Sequence, residues 1–267
     1  MSAPAAPTER PPRWFVLAGA AIGFAGALCG IGGGIFAGPL LHATRGLALK
    51  RATATALLVV LTTTFASTAT EIARGDSALV WPVVVPLAAG ALVGTQLGFA
   101  ASRRIDERAL KALFAAILSV AGVRVLFFGS AVGGGFAPGA LASAAIALGI
   151  GLCGGFLTPL IGIAGGVVMV PALFLTLGSL GFGGARACAL AAGAVAAVRS
   201  LWLHARAGTV SFALGTPLAL GALFGAFVGA AGAHQPELAS AGRILLGGVL
   251  LAQAARFAFE LRRGRAS

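Results

Sequence analysis

Gly30-Ile-Gly-Gly-Gly-Ile-Phe-Ala-Gly-Pro39 interrupts one long apolar stretch, and Gly162-Ile-Ala-Gly-Gly-Val-Val-Met-Val-Pro171 interrupts another, 132 positions later. Glycine is the poorest helix former after proline, and in hydrocarbon any backbone group freed by a break has to be satisfied by protein, water or ligand. Interruptions at corresponding places in two halves of a chain point to a binding site near the bilayer midplane.

The surroundings of the two stretches make hydrocarbon the right solvent to consider. The 267 residues are 58% hydrophobic and 10% charged, with a mean hydropathy of +0.99. Spanning-length apolar stretches lie at Trp14–Leu41, Ala52–Thr70, Leu79–Ala101, Ala109–Phe128, Gly139–Leu177, Ala185–His204, Phe212–Ala233 and Ala239–Phe259. The expected fold is therefore an all-α polytopic membrane protein with the lipid bilayer as its partner. The net charge of +12 sits almost wholly in connections and tails, which is an orientation signal and not a nucleic-acid footprint. Cys29, Cys153 and Cys188 lie in apolar segments at no metal-ligand spacing and read as packing residues, so no metal or cofactor is expected. The apolar run after the proline-rich start has no Ala-x-Ala cleavage site, and its pattern recurs later, which argues against a removable signal peptide.

The halves match beyond the breaks. Pro86, Gly90, Gly94 and Gly98 correspond to Pro217, Gly221, Gly225 and Gly229, and Ser67, Glu71 and Gly75 correspond to Ser200, His204 and Gly208. Two homologous four-segment repeats follow. They lie at 14–128 and 138–259, joined by a glycine-rich linker at 129–137 and flanked by a disordered tail at 1–13 and a basic tail at 260–267. The glycine ladders read as faces for close helix packing. If all eight segments cross, Lys and Arg divide 10 against 9 between the two sides; if the first and fifth fold back at their breaks, they divide 15 against 4. The second division is a normal positive-inside pattern. It gives inverted repeats, each opening with a Gly-broken, re-entrant helix, and places both termini in the cytoplasm. Outright crossing by Gly139–Ile161 stays open on length.

The candidate substrate-binding residues are Gly30, Ile31, Gly32, Gly33, Gly34 and Pro39, with Gly162, Ile163, Ala164, Gly165, Gly166 and Pro171. A helix restarting at such a break exposes unpaired N–H groups at the positive end of its dipole, a natural anion cradle. The alternative is that these glycines serve packing alone. Arg199, inside the sixth segment, is costly in lipid and a candidate for the anion, or it snorkels toward Arg206. Thr55 and Thr62 could line a polar path with Gln96, or bond back to their own helix. Glu71 and His204 occupy equivalent positions and are candidates for proton coupling, with interfacial solvation as the alternative. No Gly-Lys-Ser/Thr, His-Glu-x-x-His or Gly-x-Ser-x-Gly motif is present, and an enzyme is not expected.

With these residues in place, the chain resembles the sulfite exporter TauE/SafE family of bacterial membrane permeases. The likeness rests on the two glycine stretches ending in proline and on His204-Ala-Arg206-Ala-Gly208, which is similar to the family's His-x-Arg-x-Gly. Glu71 stands where the first half of a family member usually has the histidine, and Ala164 replaces the middle glycine of the second break. The resemblance implies an inner-membrane permease for a small anion, sulfite or an organosulfonate, working by alternating access. A passive anion channel on the same frame is the alternative, and a homo-oligomer is left open.

Overall fold

The computed structural model describes residues 11, 13–75, 77–102, 139–162 and 165–263, with residues 115, 116, 119, 122, 123 and 126 between them. These form α1 (Trp14–Cys29), α2 (Gly34–Arg45), α3 (Leu49–Ala73), α4 (Trp81–Ala101), α5 (Ala140–Ile161), α6 (Gly166–Thr176), α7 (Gly181–Arg206), α8 (Phe212–Gly232) and α9 (Pro236–Arg263). Six of them, α3, α4, α5, α7, α8 and α9, are long and apolar enough to cross a membrane. Leu17, Leu141, Phe224 and Val228 point outward, an exterior that suits lipid and not water. The chain is an all-helical multi-pass membrane protein. The expected fourth segment lies largely outside the described residues, though Gly122 and Leu126 pack against Leu251 and Gly247 of α9. The linker at 129–137, residues 1–10 and residues 264–267 also lie outside them, while α9 runs on to Arg263, into the expected basic tail.

The first apolar stretch folds back on itself. At 1.5 Å per residue, α1 reaches only about 24 Å, short of a hydrocarbon core of about 30 Å. The chain then reverses. A Cβ on Gly33 would lie 3.4 Å from the Ile22 carbonyl oxygen, and the Arg45 guanidinium sits 5.1 Å from the centre of the Phe15 ring, so the stretch begins and ends at one end of the bundle. At the second break Gly165 folds back on α5 in the same way, its Cβ position 2.6 Å from the Gly154 carbonyl oxygen.

Helix directions follow from the glycine ladders. Gly90, Gly94 and Gly98 of α4 face the carbonyls of Leu148, Leu152 and Phe156 of α5, so these two helices run parallel. Gly221, Gly225 and Gly229 of α8 face Val16, Ala20 and Phe24 of α1 in the same sense. Reciprocal contacts come from Gly151 and Gly155 onto Leu87 and Ala91, and from Gly19 and Gly23 onto Leu218 and Ala222. A Cβ at any of these ten glycines would stand 1.9 to 2.5 Å from a carbonyl oxygen, so the seams are backbone against backbone, with Cα–H groups turned on carbonyls. Helices α3 and α7, which hold equivalent places in sequence, run in opposite directions, because Glu71 near the end of α3 meets Arg186 near the start of α7.

Two large apolar cores result, with two smaller clusters beside them. One gathers Phe15 and Ile22 of α1, Leu41 of α2, Ala56 and Val59 of α3 and Leu218 of α8. The other gathers Val84 and Leu87 of α4, Ala147 of α5, Met169 and Leu173 of α6, Cys188 and Ala189 of α7 and part of α9. Each sequence half thus lends one helix, α4 or α8, to the core of the other. Pro159, inside α5, has no N–H to give the Gly155 carbonyl, and the buried Thr95 hydroxyl of α4 reaches that oxygen instead, at 3.3 Å.

Candidate functional site

The two glycine breaks meet. A Cβ on Gly34 would lie 2.1 Å from the Gly162 carbonyl oxygen, and one on Gly166 would lie 2.3 Å from the Gly30 carbonyl oxygen. The contact is reciprocal at the same sequence offset, and side chains at either position would force the breaks apart. Gly33 and Gly165, at φ +74° and +64°, cap α2 and α6 in the left-handed region that only glycine enters freely. Each helix therefore restarts one residue later than Gly33 or Gly165. Its first amides, those of Gly34 and Ile35 in α2 and of Gly166 and Val167 in α6, precede the first helical acceptor. Ile163 and Ala164 lie outside the described residues. Pro39 and Pro171 sit inside α2 and α6, five residues past each restart.

One side chain adds to the backbone donors at the start of α2. Thr63 of α3 is fully buried, its Oγ1 has no hydrogen-bond partner, and it lies 3.4 Å from the Cβ position of Gly33. Ser200 of α7 is a second buried hydroxyl without a partner. The neighbouring threonines are occupied. Thr62 bonds back to Leu58 and Val59, and Thr55 bonds to Arg51 while accepting the Ser211 amide at 3.0 Å. Gln96 is exposed on α4, beside the buried Thr95.

The titratable candidates are drawn apart. His204 stands at the far end of α7 from Arg186, its Nε2 donating to the Pro159 carbonyl at 3.2 Å and its Nδ1 3.0 Å from Thr209 Oγ1, with Phe99 edge-on to the ring. Arg199 lies half-buried over the Trp202 ring at 4.5 Å, with Arg206 on the same ring at 3.9 Å, so its guanidinium is turned toward the Arg206 end of the helix. Glu71 is not an interfacial residue. It is 1% exposed and ion-paired through Oε1 to Arg186 Nη2, and the same oxygen accepts from His234 Nε2 at 3.0 Å. The Ala78 amide approaches Oε2 at 3.4 Å, and Arg186 Nη1 donates to the Ala27 carbonyl at 3.2 Å, at the end of α1.

Arg186 is the functional candidate that the apolar pattern hides. Hydropathy starts the sixth segment at Ala185 and puts the arginine at its very edge, whereas α7 begins at Gly181 and carries it a full turn inside. Its stem lies on the first break: a Cβ on Gly30 would come within 2.8 Å of Arg186 Cγ. Arg186 and Glu71 are the buried cation and the buried anion among the described residues.

Broken helices that meet inside a multi-pass bundle, with the first amides of two helices at the crossing, have the architecture of a membrane transporter. The family model described as Sulfite exporter TauE/SafE matches residues 2–125 and 147–267. The chain belongs to that family, whose members are membrane transporters of the sulfite or anion type. No curated protein and no solved structure matches the chain.

Proposed function

We propose that this chain carries a small oxyanion, sulfite or an organosulfonate, across the bacterial inner membrane by alternating access, with the anion held where the two breaks cross. The observation that carries the reading is the reciprocal seating of Gly34 on Gly162 and of Gly166 on Gly30, beside two helix starts with unspent amides and the unpartnered Thr63 hydroxyl. Backbone N–H groups at the positive end of a helix suit an anion, and glycines allow it within hydrogen-bond reach. The opposed directions of α3 and α7 support inverted repeats, a frame in which one site can be offered to either face in turn. Arg45, Lys50, Arg51 and Arg206 share one end of the bundle, and the positive-inside rule makes that end, with both termini, cytoplasmic. The purified chain in proteoliposomes should exchange radiolabelled sulfite in counterflow, with sulfate, sulfoacetate and taurine alongside to rank substrates. Saturable exchange supports the carrier; conductance of an open pore would replace it with a channel. No flux of any of the four would remove the reading.

A further inference from the structure

Twelve residues separate Arg186 from Arg199, and of the two it is Arg186 whose stem lies on a break. It bridges two parts of the bundle: its helix, α7, belongs to the core with α4 to α6, while Glu71 lies on α3, and Ala27 of α1 packs with Ala66 of α3 and Ala226 and Ala230 of α8. A buried ion pair is a poor source of stability, since well-packed apolar residues of similar volume commonly do as well or better, and an ionisable residue inside a membrane bundle is a functional suspect by default.

The hydrogen bonds are shared out so that this pair can part. If Glu71 leaves Arg186, its carboxylate keeps His234, and Oε2 keeps the Ala78 amide. If Arg186 leaves Glu71, Nη1 keeps the Ala27 carbonyl, so the guanidinium stays at the end of α1, its stem on Gly30, with Nη2 vacated. His234 is 18% exposed, so the group that receives the carboxylate reaches toward solvent while Arg186 does not. Among the described residues, the other charged or titratable ones on the elements around the cluster are Arg74 just past α3, Cys29 on α1, Cys188 on α7 and Glu237 and Arg243 on α9. None of these is a buried acid that could take Glu71's place on Arg186.

Building on the anion-carrier reading, we propose that Arg186 is the residue that pairs with the transported anion, and that Glu71 is its resident competitor, held by Arg186 in the empty protein and handed to His234 when the anion arrives. An oxyanion at Nη2 replaces one carboxylate-like partner with another, so the buried guanidinium is never left unpaired. The empty carrier also keeps a link between these two parts of the bundle that substrate loosens.

A competitor and a structural partner predict opposite signs. In the full chain in nanodiscs, with radiolabelled sulfite as the probe, Glu71→Gln should tighten binding by about tenfold, since the rival charge is gone. His234→Gln should weaken binding, because the displaced carboxylate loses its receiver, and Arg186→Gln should abolish it. Sulfite binding by Glu71→Gln that is unchanged or weaker overturns the proposal. Should that variant fail to fold, the wild-type chain tests the same competition through labelling of Glu71 by a hydrophobic carbodiimide, read by mass spectrometry. Saturating sulfite should raise labelling several-fold, and labelling that ignores sulfite overturns the proposal. If wild-type protein binds none of sulfite, sulfate, sulfoacetate and taurine, the carrier reading itself falls. If it binds but the Glu71 signs fail, only the competition does.

Discussion

Replacing Gly34 by alanine separates a transport role for the glycine breaks from a packing role. The new methyl carbon would stand 2.1 Å from the Gly162 carbonyl oxygen and 2.5 Å from Val60 Cγ2. A carbon normally approaches a carbonyl oxygen no closer than about 3.3 Å, so the two breaks have to separate by about 1 Å. Overpacking of this kind costs about 1–3 kcal/mol. The informative comparison is Gly94→Ala, whose methyl would meet the Leu152 carbonyl oxygen at 2.2 Å in the seam between α4 and α5, away from the crossing. The two variants should lose similar stability in unfolding by denaturing detergent. Only Gly34→Ala should lose function, because misplacing binding groups by about 1 Å costs on the order of tenfold or more. The assay is sulfite counterflow in proteoliposomes, normalised to monodisperse protein. Gly34→Ala is expected at a tenth of the wild-type rate or less, and Gly94→Ala within about twofold. Equal rates for the two variants, whether both high or both low, would reduce the breaks to packing and refute the reasoning.

Thr63→Val keeps shape but removes a buried hydroxyl without a partner, so stability should hold or rise while sulfite affinity falls several-fold, checked by the nanodisc binding assay. Arg199→Gln should leave counterflow within about twofold and lower stability by no more than about 1 kcal/mol, since its contact is with Trp202 and not with a break. In a background with the three native cysteines replaced, Lys50→Cys and Glu237→Cys, both exposed, should react with an impermeant thiol reagent from opposite faces of oriented vesicles. Labelling from one face would undo the topology.

The membrane class, the segments and the two breaks could all be read from residues, because a long apolar run punctuated by Gly-x-Gly-Gly-Gly has few physical solutions in lipid. The fold-back was legible only through charge counting, and the contact of Arg45 with Phe15 shows it directly. What stayed hidden were the partners. Nothing in one dimension says that Gly221, Gly225 and Gly229 meet α1 and not a neighbour in their own half, because the ladder signals close approach without naming who approaches. The equivalence of Glu71 and His204 was visible, but equivalent positions in oppositely directed helices land at opposite ends. Glu71 finds Arg186 and His234, which the sequence match between the halves does not relate to it. The threonine count misled similarly: Thr55 and Thr62 spend their hydroxyls locally, and the one left free is Thr63, on another face of the same helix.

The exchange of α4 and α8 between the cores bears on how such a frame can move. Rocking one sequence half against the other would shear both glycine seams, α1 on α8 and α4 on α5, where backbones touch along three turns and a shift of 1 Å already meets carbonyl oxygens. Packed seams of this kind are bistable at best and do not deform smoothly. The units free to move as bodies are instead the two exchanged cores, α1 to α3 with α8 and α4 to α7. They touch through α3 on α7, through α9 on the end of α1 and through the crossing of the breaks. On that division the breaks lie where the two bodies meet, and the proposed anion would stay in reach of both helix starts as they moved. The Glu71–Arg186 pair spans the two bodies beside the first break, where a link of the kind proposed above would couple the anion to the relation between them.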